Sequence, residues 1–343
     1  MKARTNQLQA FAQLALVVAQ RVIPAHSHKF APKTYTQPQL LAALLLKEHL
    51  RLDYRGAQDL LELSDGLRSA LSLRQAPDHS TLWWFAQHKV TPELLQQALA
   101  ETVRLLEDHS SGGSSPGGPP RKGALRQVAL DSTGLFLHHT SRYFEWRAHG
   151  GRGQRGWLKW AAALWTRPQL VLSQLVRPAP AGDFSDLVPL ACAAHAVLPF
   201  TQLVADGGYD SEANHRFCRE ELQVESLIPA HNRRGSRAKT TYRRKMQRLL
   251  GLPGTERRGT ERARRDYGQR WKAETLMSVL KRKWGECLSA RDAFMQQLQA
   301  LLRGVVYNLH RLTVLGLFCC AQFLLCTLLQ RTIYGAFRQS KCL

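Results

Sequence analysis

The chain has 343 residues, 44% of them apolar, enough to bury one or two cores and to exclude wholesale disorder. Its 48 Lys and Arg exceed its 26 Asp and Glu by 22 charges. That surplus points to a polyanionic partner, nucleic acid or an anionic membrane surface, and argues against a metabolic enzyme with a small neutral substrate.

The first hundred residues read as helices. An amphipathic helix is expected around Phe11 to Val18, interrupted by Gln13 and ended by Gln20 and Arg21, with no small-residue cleavage site after it. Gln39 to Leu50 is rich in Leu and Ala. Ala57, Leu60 and Leu61 give helical spacing to Tyr54–Leu63. Pro77 and Asp78 precede a capped start at Ser80, and Thr91-Pro92-Glu93 starts a helix running to about Leu106. These segments make a helical domain over residues 1–109. Residues 110–123, rich in Ser, Gly and Pro, read as a flexible linker.

Beyond the linker the pattern becomes α/β. Strands are expected at Gln127 to Leu137, Trp157 to Trp165, Leu170 to Val176, Gln202 to Ala205 and Ser226 to Pro229. Helices are expected at Phe184 to Val197 and Ser211 to Leu222. Residues 231–265 carry 13 Lys and Arg against Glu256 and Glu261. One helix follows from near Gln269 to Lys283, and another from about Ala293 to Leu312. The order predicts a central sheet flanked by helices.

Asp131 stands alone inside an apolar strand, a costly place for a carboxylate unless it is paired or binds a metal. Asp206 ends another short apolar strand, where open α/β sheets place their ligands. Two acids side by side there repel, and a divalent cation resolves the repulsion. Tyr267, Arg270, Glu274 and Lys281 fall at i, i+3, i+7 and i+14, nearly one stripe of a helix. Such a stripe offers one metal ligand between phosphate-binding cations, or else an ordinary solvated face. The upstream acids and the basic surroundings favour the first reading.

These residues resemble the DDE transposases of bacterial insertion sequences, in the branch with a Tyr-Arg-Glu-Lys signature. Tyr267, Arg270, Glu274 and Lys281 match that signature without a gap, and LDSTGL around Asp131 and VADGGYDS around Asp206 are similar to the first two acid motifs. The likeness spans roughly residues 35–311, including a helical DNA-end-binding part. It implies a ribonuclease-H-like catalytic domain over 124–311 that holds two Mg²⁺ ions, with Mn²⁺ able to substitute, on Asp131, Asp206 and Glu274. It implies hydrolysis at the element ends followed by joining of the 3′-OH to target double-stranded DNA, by a homodimer on DNA in the bacterial cytoplasm, associated with the nucleoid. No nucleotide cofactor is expected, since no GxxxxGK[ST] loop is present. Tyr267, Arg270 and Lys281 would hold phosphates, with Arg233, Arg234, Arg243, Arg244 and Lys245 of the basic stretch and Arg147 and Arg155 lining the same groove.

Other residues have plainer expectations. Asp210 reads as a helix cap, Asp183 and Asp186 as a cap and a first-turn acid, and Glu145 as an ion-pair partner. Trp83, Trp84, Trp157, Trp160 and Trp271 read as core. Seven Cys without CxxC spacing fit a reducing compartment. The 19 uncharged residues between Arg311 and Arg331 could span a bilayer, but a buried or dimer-forming helix fits a DNA-processing enzyme better. The rival readings are an inactive or repurposed DNA-binding derivative, a structure-selective nuclease of the same fold and a basic membrane-surface protein.

Overall fold

The structure, a computed structural model, describes residues 6–30, 32–110, 126–137, 156–230, 238–251 and 259–317. The linker over 111–123 and the tail beyond 317 lie outside them. The chain divides into two compact units, Met1–Pro116 with Asn308–Leu343, and Gly117–Tyr307.

The first unit is helical. It contains α1 (Gln7–Val22), α2 (Gln37–His49), α3 (Tyr54–Leu63), α4 (Asp65–Ala70), α5 (His79–Lys89) and α6 (Pro92–Ser110). Helix starts follow the expected chemistry. Thr36 and Gln39 form a capping box on α2, Asp53 caps α3, and the Thr91 hydroxyl accepts from the Leu94 amide at the start of α6. Helix α1 buries a nearly continuous run from Ala10 to Ala19, which makes it a core helix rather than a half-exposed one.

The second unit is built on a mixed sheet. Its strands are β1 (Gln127–Leu137), β2 (Trp157–Trp165), β3 (Leu170–Pro178), β4 (Gln202–Val204), β5 (Glu225–Leu227) and β6 (Cys287–Leu288). The order is β3-β2-β1-β4-β5, with β6 also pairing with β1. Strands β1, β2 and β3 run antiparallel, while β4 lies parallel to β1 and β5 parallel to β4. The helices of this unit are α7 (Leu187–Val197), α8 (Glu212–Arg216, followed by a wide turn at Phe217–Glu221), α9 (Thr241–Leu250), α10 (Glu261–Gly268), α11 (Trp271–Trp284) and α12 (Ala293–Val314). Helix α12 begins in this unit and ends in the first.

One detail of the sheet positions the site. Strand β4 pairs with β1 only from Gln127 to Ala129, and β6 only at Phe136 and Leu137. Along that edge, residues 130–135 of β1 pair with β2 alone. Asp131 lies in this opening, and α11 packs against the same strand.

Buried polar groups brace α11. Arg303 of α12, 2% exposed, donates to the carbonyls of Gly285 at 2.9 Å and Cys287 at 2.7 Å, tying the helix end and β6 together. Gln174 of β3 accepts from Trp160 Nε1 at 3.0 Å and donates to the Leu301 carbonyl at 2.9 Å. This amide fills the space over Gly304, where an added Cβ would collide with it. Gly304→Ala is therefore expected to destabilise the protein by about 1–3 kcal/mol, read as a lower midpoint in urea unfolding at unchanged slope.

Candidate active site

Asp131 and Asp206 lie where the β1–β4 ladder runs out. The last paired residues are Ala129 and Val204, and each acid lies two residues beyond. Asp131 Oδ1 accepts from the Ser132 amide at 2.9 Å, and Asp206 Oδ1 accepts from the Gly208 amide at 2.9 Å as the cap of a short 3₁₀ turn, Gly207–Tyr209. Burial pushes the Asp131 carboxyl up to about 6, with the negative charges of Asp206 and Glu274 adding to the rise and the Ser132 amide and Arg270 opposing it.

The third acid comes from α11. The expected single helix is broken: Tyr267 is near the end of α10, and Arg270 occupies the cap position of α11. Tight i→i+3 bonds connect them, from the Gln269 amide to the Asp266 carbonyl at 3.2 Å and from the Arg270 amide to the Tyr267 carbonyl at 3.0 Å. The three side chains still meet. Arg270 lies over the Tyr267 ring, 5.9 Å from its centre, and pairs with Glu274 at 2.5 Å. Burial raises the Tyr267 phenol, so it remains a donor at neutral pH. Lys281 is two turns further along α11, about 10 Å by helical rise.

The set therefore divides into a largely buried acid, a strand-end acid and a Glu that is 53% exposed and held by Arg270. Their carboxylate oxygens are hard donors suited to Mg²⁺ or Mn²⁺. Among the described residues no three acids, histidines or cysteines are already gathered at ligand spacing for one ion. The fit is one of donor chemistry and mutual repulsion.

Of the basic residues, Arg147, Arg155, Arg233 and Arg234 lie outside the described residues, as do Glu145 and parts of the basic stretch. Arg244 and Lys245 line, with Thr241, Tyr242 and Arg248, a depression of about 500 Å³ along α9. Arg243 is engaged differently. Its guanidinium donates to the buried Asp210 carboxylate at 2.8 Å, and the Tyr242 and Arg243 amides donate to Glu212 at 3.0 and 3.2 Å.

Several plainer expectations are corrected. Ser211, not Asp210, caps α8, and Asp210 pairs with Arg243 and lies 3.4 Å from His215 Nε2. Asp183 and Asp186 do stand at the cap and in the first turn of the 3₁₀ turn Phe184–Asp186, but their side chains make no capping bonds; both pair with Lys159 of β2. Trp83, Trp84 and Trp271 are about half exposed, whereas Trp160 is fully buried. Tyr209, which sequence reasoning passed over, buries its hydroxyl near Asp183, Asp131 and Asp206, and burial pushes that phenol far up. A signal for Lys159 was present: it interrupts an apolar strand as Asp131 interrupts its own.

A family model described as the transposase DDE domain matches residues 122–309, the segment that contains all three acids. The chain belongs to the DDE transposase family. Its mixed sheet with flanking helices is the ribonuclease-H-like fold, and the family's business is the movement of transposable elements. No curated protein matches the chain. No helix among its described residues is long and apolar enough to cross a membrane.

The raised Asp131 carboxyl has a thermodynamic consequence. A carboxyl moved from its ordinary value to about 6 gives stability that is complete below the ordinary value and lost as pH rises past 6, roughly 3 kcal/mol in all. Without divalent cations, Asp131→Asn should therefore raise the melting temperature at pH 8 and have a smaller effect at pH 5. Equal effects at the two values would contradict the burial of the charge.

Proposed function

We propose that the protein is an insertion-sequence transposase of the Tyr-Arg-Glu-Lys branch, which cleaves phosphodiester bonds at element ends and joins the resulting 3′-OH to target DNA. The observation that carries this is the electrostatic convergence of Asp131, Asp206 and Glu274, with Arg270 and Tyr267 beside them, at the open edge of β1. Asp131, Asp206 and Glu274 would hold two Mg²⁺ ions, with Mn²⁺ as a substitute. Divalent cations bound there polarise the phosphoryl oxygens and stabilise the attacking and leaving oxygens of an in-line displacement.

The chain's own residues supply the rest. Asp131 is held by the amide of the next residue of β1 and Asp206 by an amide of its own turn, so their oxygens are ordered before any cation arrives. Glu274, paired with Arg270 in this structure, must share its carboxylate with the cation. Arg270 would offer its guanidinium to phosphate, which planar double donors bind well. Tyr267 donates its phenol alongside, and Lys281 adds a point charge further along α11. Arg244, Lys245 and Arg248 around the α9 depression offer the flanking duplex a cationic wall. Arg243 anchors that wall through Asp210. The helical first unit is assigned to recognising element ends. Two ends cut and joined together require at least a dimer on DNA.

Two experiments test this reading. Alanine at Asp131, Asp206 or Glu274 should lower Mg²⁺-dependent nicking of element-end DNA by about a thousandfold or more while leaving end binding intact. Residual nicking at the wild-type rate in any of the three would remove that residue from the site. Arg244→Ala and Lys245→Ala should each reduce the slope of log affinity against log salt by about one, without changing sequence preference. Unchanged slopes would place the DNA elsewhere.

A further inference from the structure

On the other face of β1, behind Asp131 and Asp206, lies a second charged cluster. Strand alternation turns Ser132 and Gly134 away from Asp131, and Lys159 is the cross-strand partner of Gly134, so it shares their face. The Lys159 side chain is 4% exposed. Its ammonium lies 2.6 Å from Asp183 Oδ1 and 2.7 Å from Asp186 Oδ2. Arg177, opposite Lys159 on β3, closes the chain by pairing with Asp186 at 2.9 Å. The Ser132 hydroxyl donates to Asp183 Oδ1 at 2.7 Å. The other Asp183 oxygen faces Gly208. A Cβ added to that glycine would stand 2.9 Å from Asp183 Oδ2 and 3.0 Å from Asp206 Oδ1.

The placement bears on the site because the β-ladder ends too early to hold it. Backbone pairing stops at Ala129 and Val204, so no ladder bond fixes Asp206 beside Asp131. Asp183 reaches both sides of that gap. A buried ion pair is a poor source of net stability, because desolvation offsets the attraction, but opposite charges at contact distance still favour one arrangement, and the Ser132 hydroxyl adds a hydrogen bond to Asp183. We propose that Asp183 is a positioning residue that spans the gap, gripping Ser132 next to Asp131 and packing against the Gly208 turn next to Asp206, and that Lys159 acts through it by holding its carboxylate in place. The inference rests on the reading of Asp131 and Asp206 as cation ligands. It adds to that reading a support from the opposite face of the sheet.

The test is Mn²⁺ binding to the full-length protein, followed by loss of the free-ion electron paramagnetic resonance signal, with melting curves recorded alongside. The set is wild type, Asp131→Ala, Asp183→Asn, Lys159→Arg, Gly208→Ala and the double variant Lys159→Met/Asp183→Asn. Lys159→Met alone is left out because it leaves the Asp183 carboxylate without a cation, while Asp186 keeps Arg177. Asp183→Asn and Gly208→Ala should weaken Mn²⁺ binding about tenfold, the size expected for a group that orders a ligand from behind. Lys159→Arg should remain within about twofold of wild type, and the double variant should be no weaker than Asp183→Asn, because Lys159 works through that residue. If Asp183→Asn does not melt cooperatively, Ser132→Ala, added to the set because it removes the hydroxyl that Asp183 grips, decides in the same way. Wild-type affinity in Asp183→Asn and Gly208→Ala, with binding still lost in Asp131→Ala, overturns the inference and leaves the acids' role standing. Binding that Asp131→Ala does not weaken overturns both.

Discussion

A carboxylate inside an apolar strand must be protonated, paired or bound to a cation. Asp131 meets that constraint in the least comfortable way, since its nearest charged company includes two further acids. Burial and like charge act in the same direction and push its carboxyl up to about 6. The surrounding architecture accommodates this. The sheet opens along one edge of β1 at residues 130–135, β4 stops two residues short of Asp206, and α11 brings Glu274 and Arg270 to the opening. Repulsion stored among carboxylates is relieved when a divalent cation binds them, and the proposed function rests on that relief.

The polar groups around the acids divide the work. Arg270 pairs with Glu274 and lies over the Tyr267 ring, so the exposed acid meets a cation of its own beside the buried one. Arg303 ties the end of α11 to β6, and the Gln174–Gly304 contact seats α12 against β3. The Lys159–Asp183–Asp186–Arg177 chain is balanced in charge, two cations against two anions, so it can be buried without adding to the repulsion above it. Further away, Asp210 and Glu212 hold α9 by its Arg243 side chain and its first amides, which leaves Arg244, Lys245 and Arg248 around the depression.

Much of this was legible in the sequence. Asp131 and Asp206 were visible as charges inside or ending apolar strands, and β1 and β2 lie where their apolar, β-prone runs placed them. The spacing of Tyr267, Arg270 and Glu274 foretold their meeting, although the helix that was to carry them breaks at Gly268–Arg270. The break was hidden because i→i+3 turns and α-helix put those side chains on nearly the same side. What local reasoning missed depends on contacts distant in sequence. Asp183 and Asp186 look like helix-start acids until β2 brings Lys159 beneath them, 24 residues earlier than Asp183 in the chain. Asp210 looks like a cap until α9 brings Arg243 to it. The two-residue strand β6 is too short to leave a pattern, and the exposed Trp83, Trp84 and Trp271 show that large apolar side chains need not be core.

The central claim is that Asp131, Asp206 and Glu274 meet on divalent cations. Anomalous diffraction from crystals grown with Mn²⁺ and an element-end duplex tests it most directly. The account predicts manganese peaks within coordination distance of oxygens from all three side chains, with Arg270 facing a phosphate. Manganese bound elsewhere, or bound to the strand acids while Glu274 remains locked to Arg270, would contradict it.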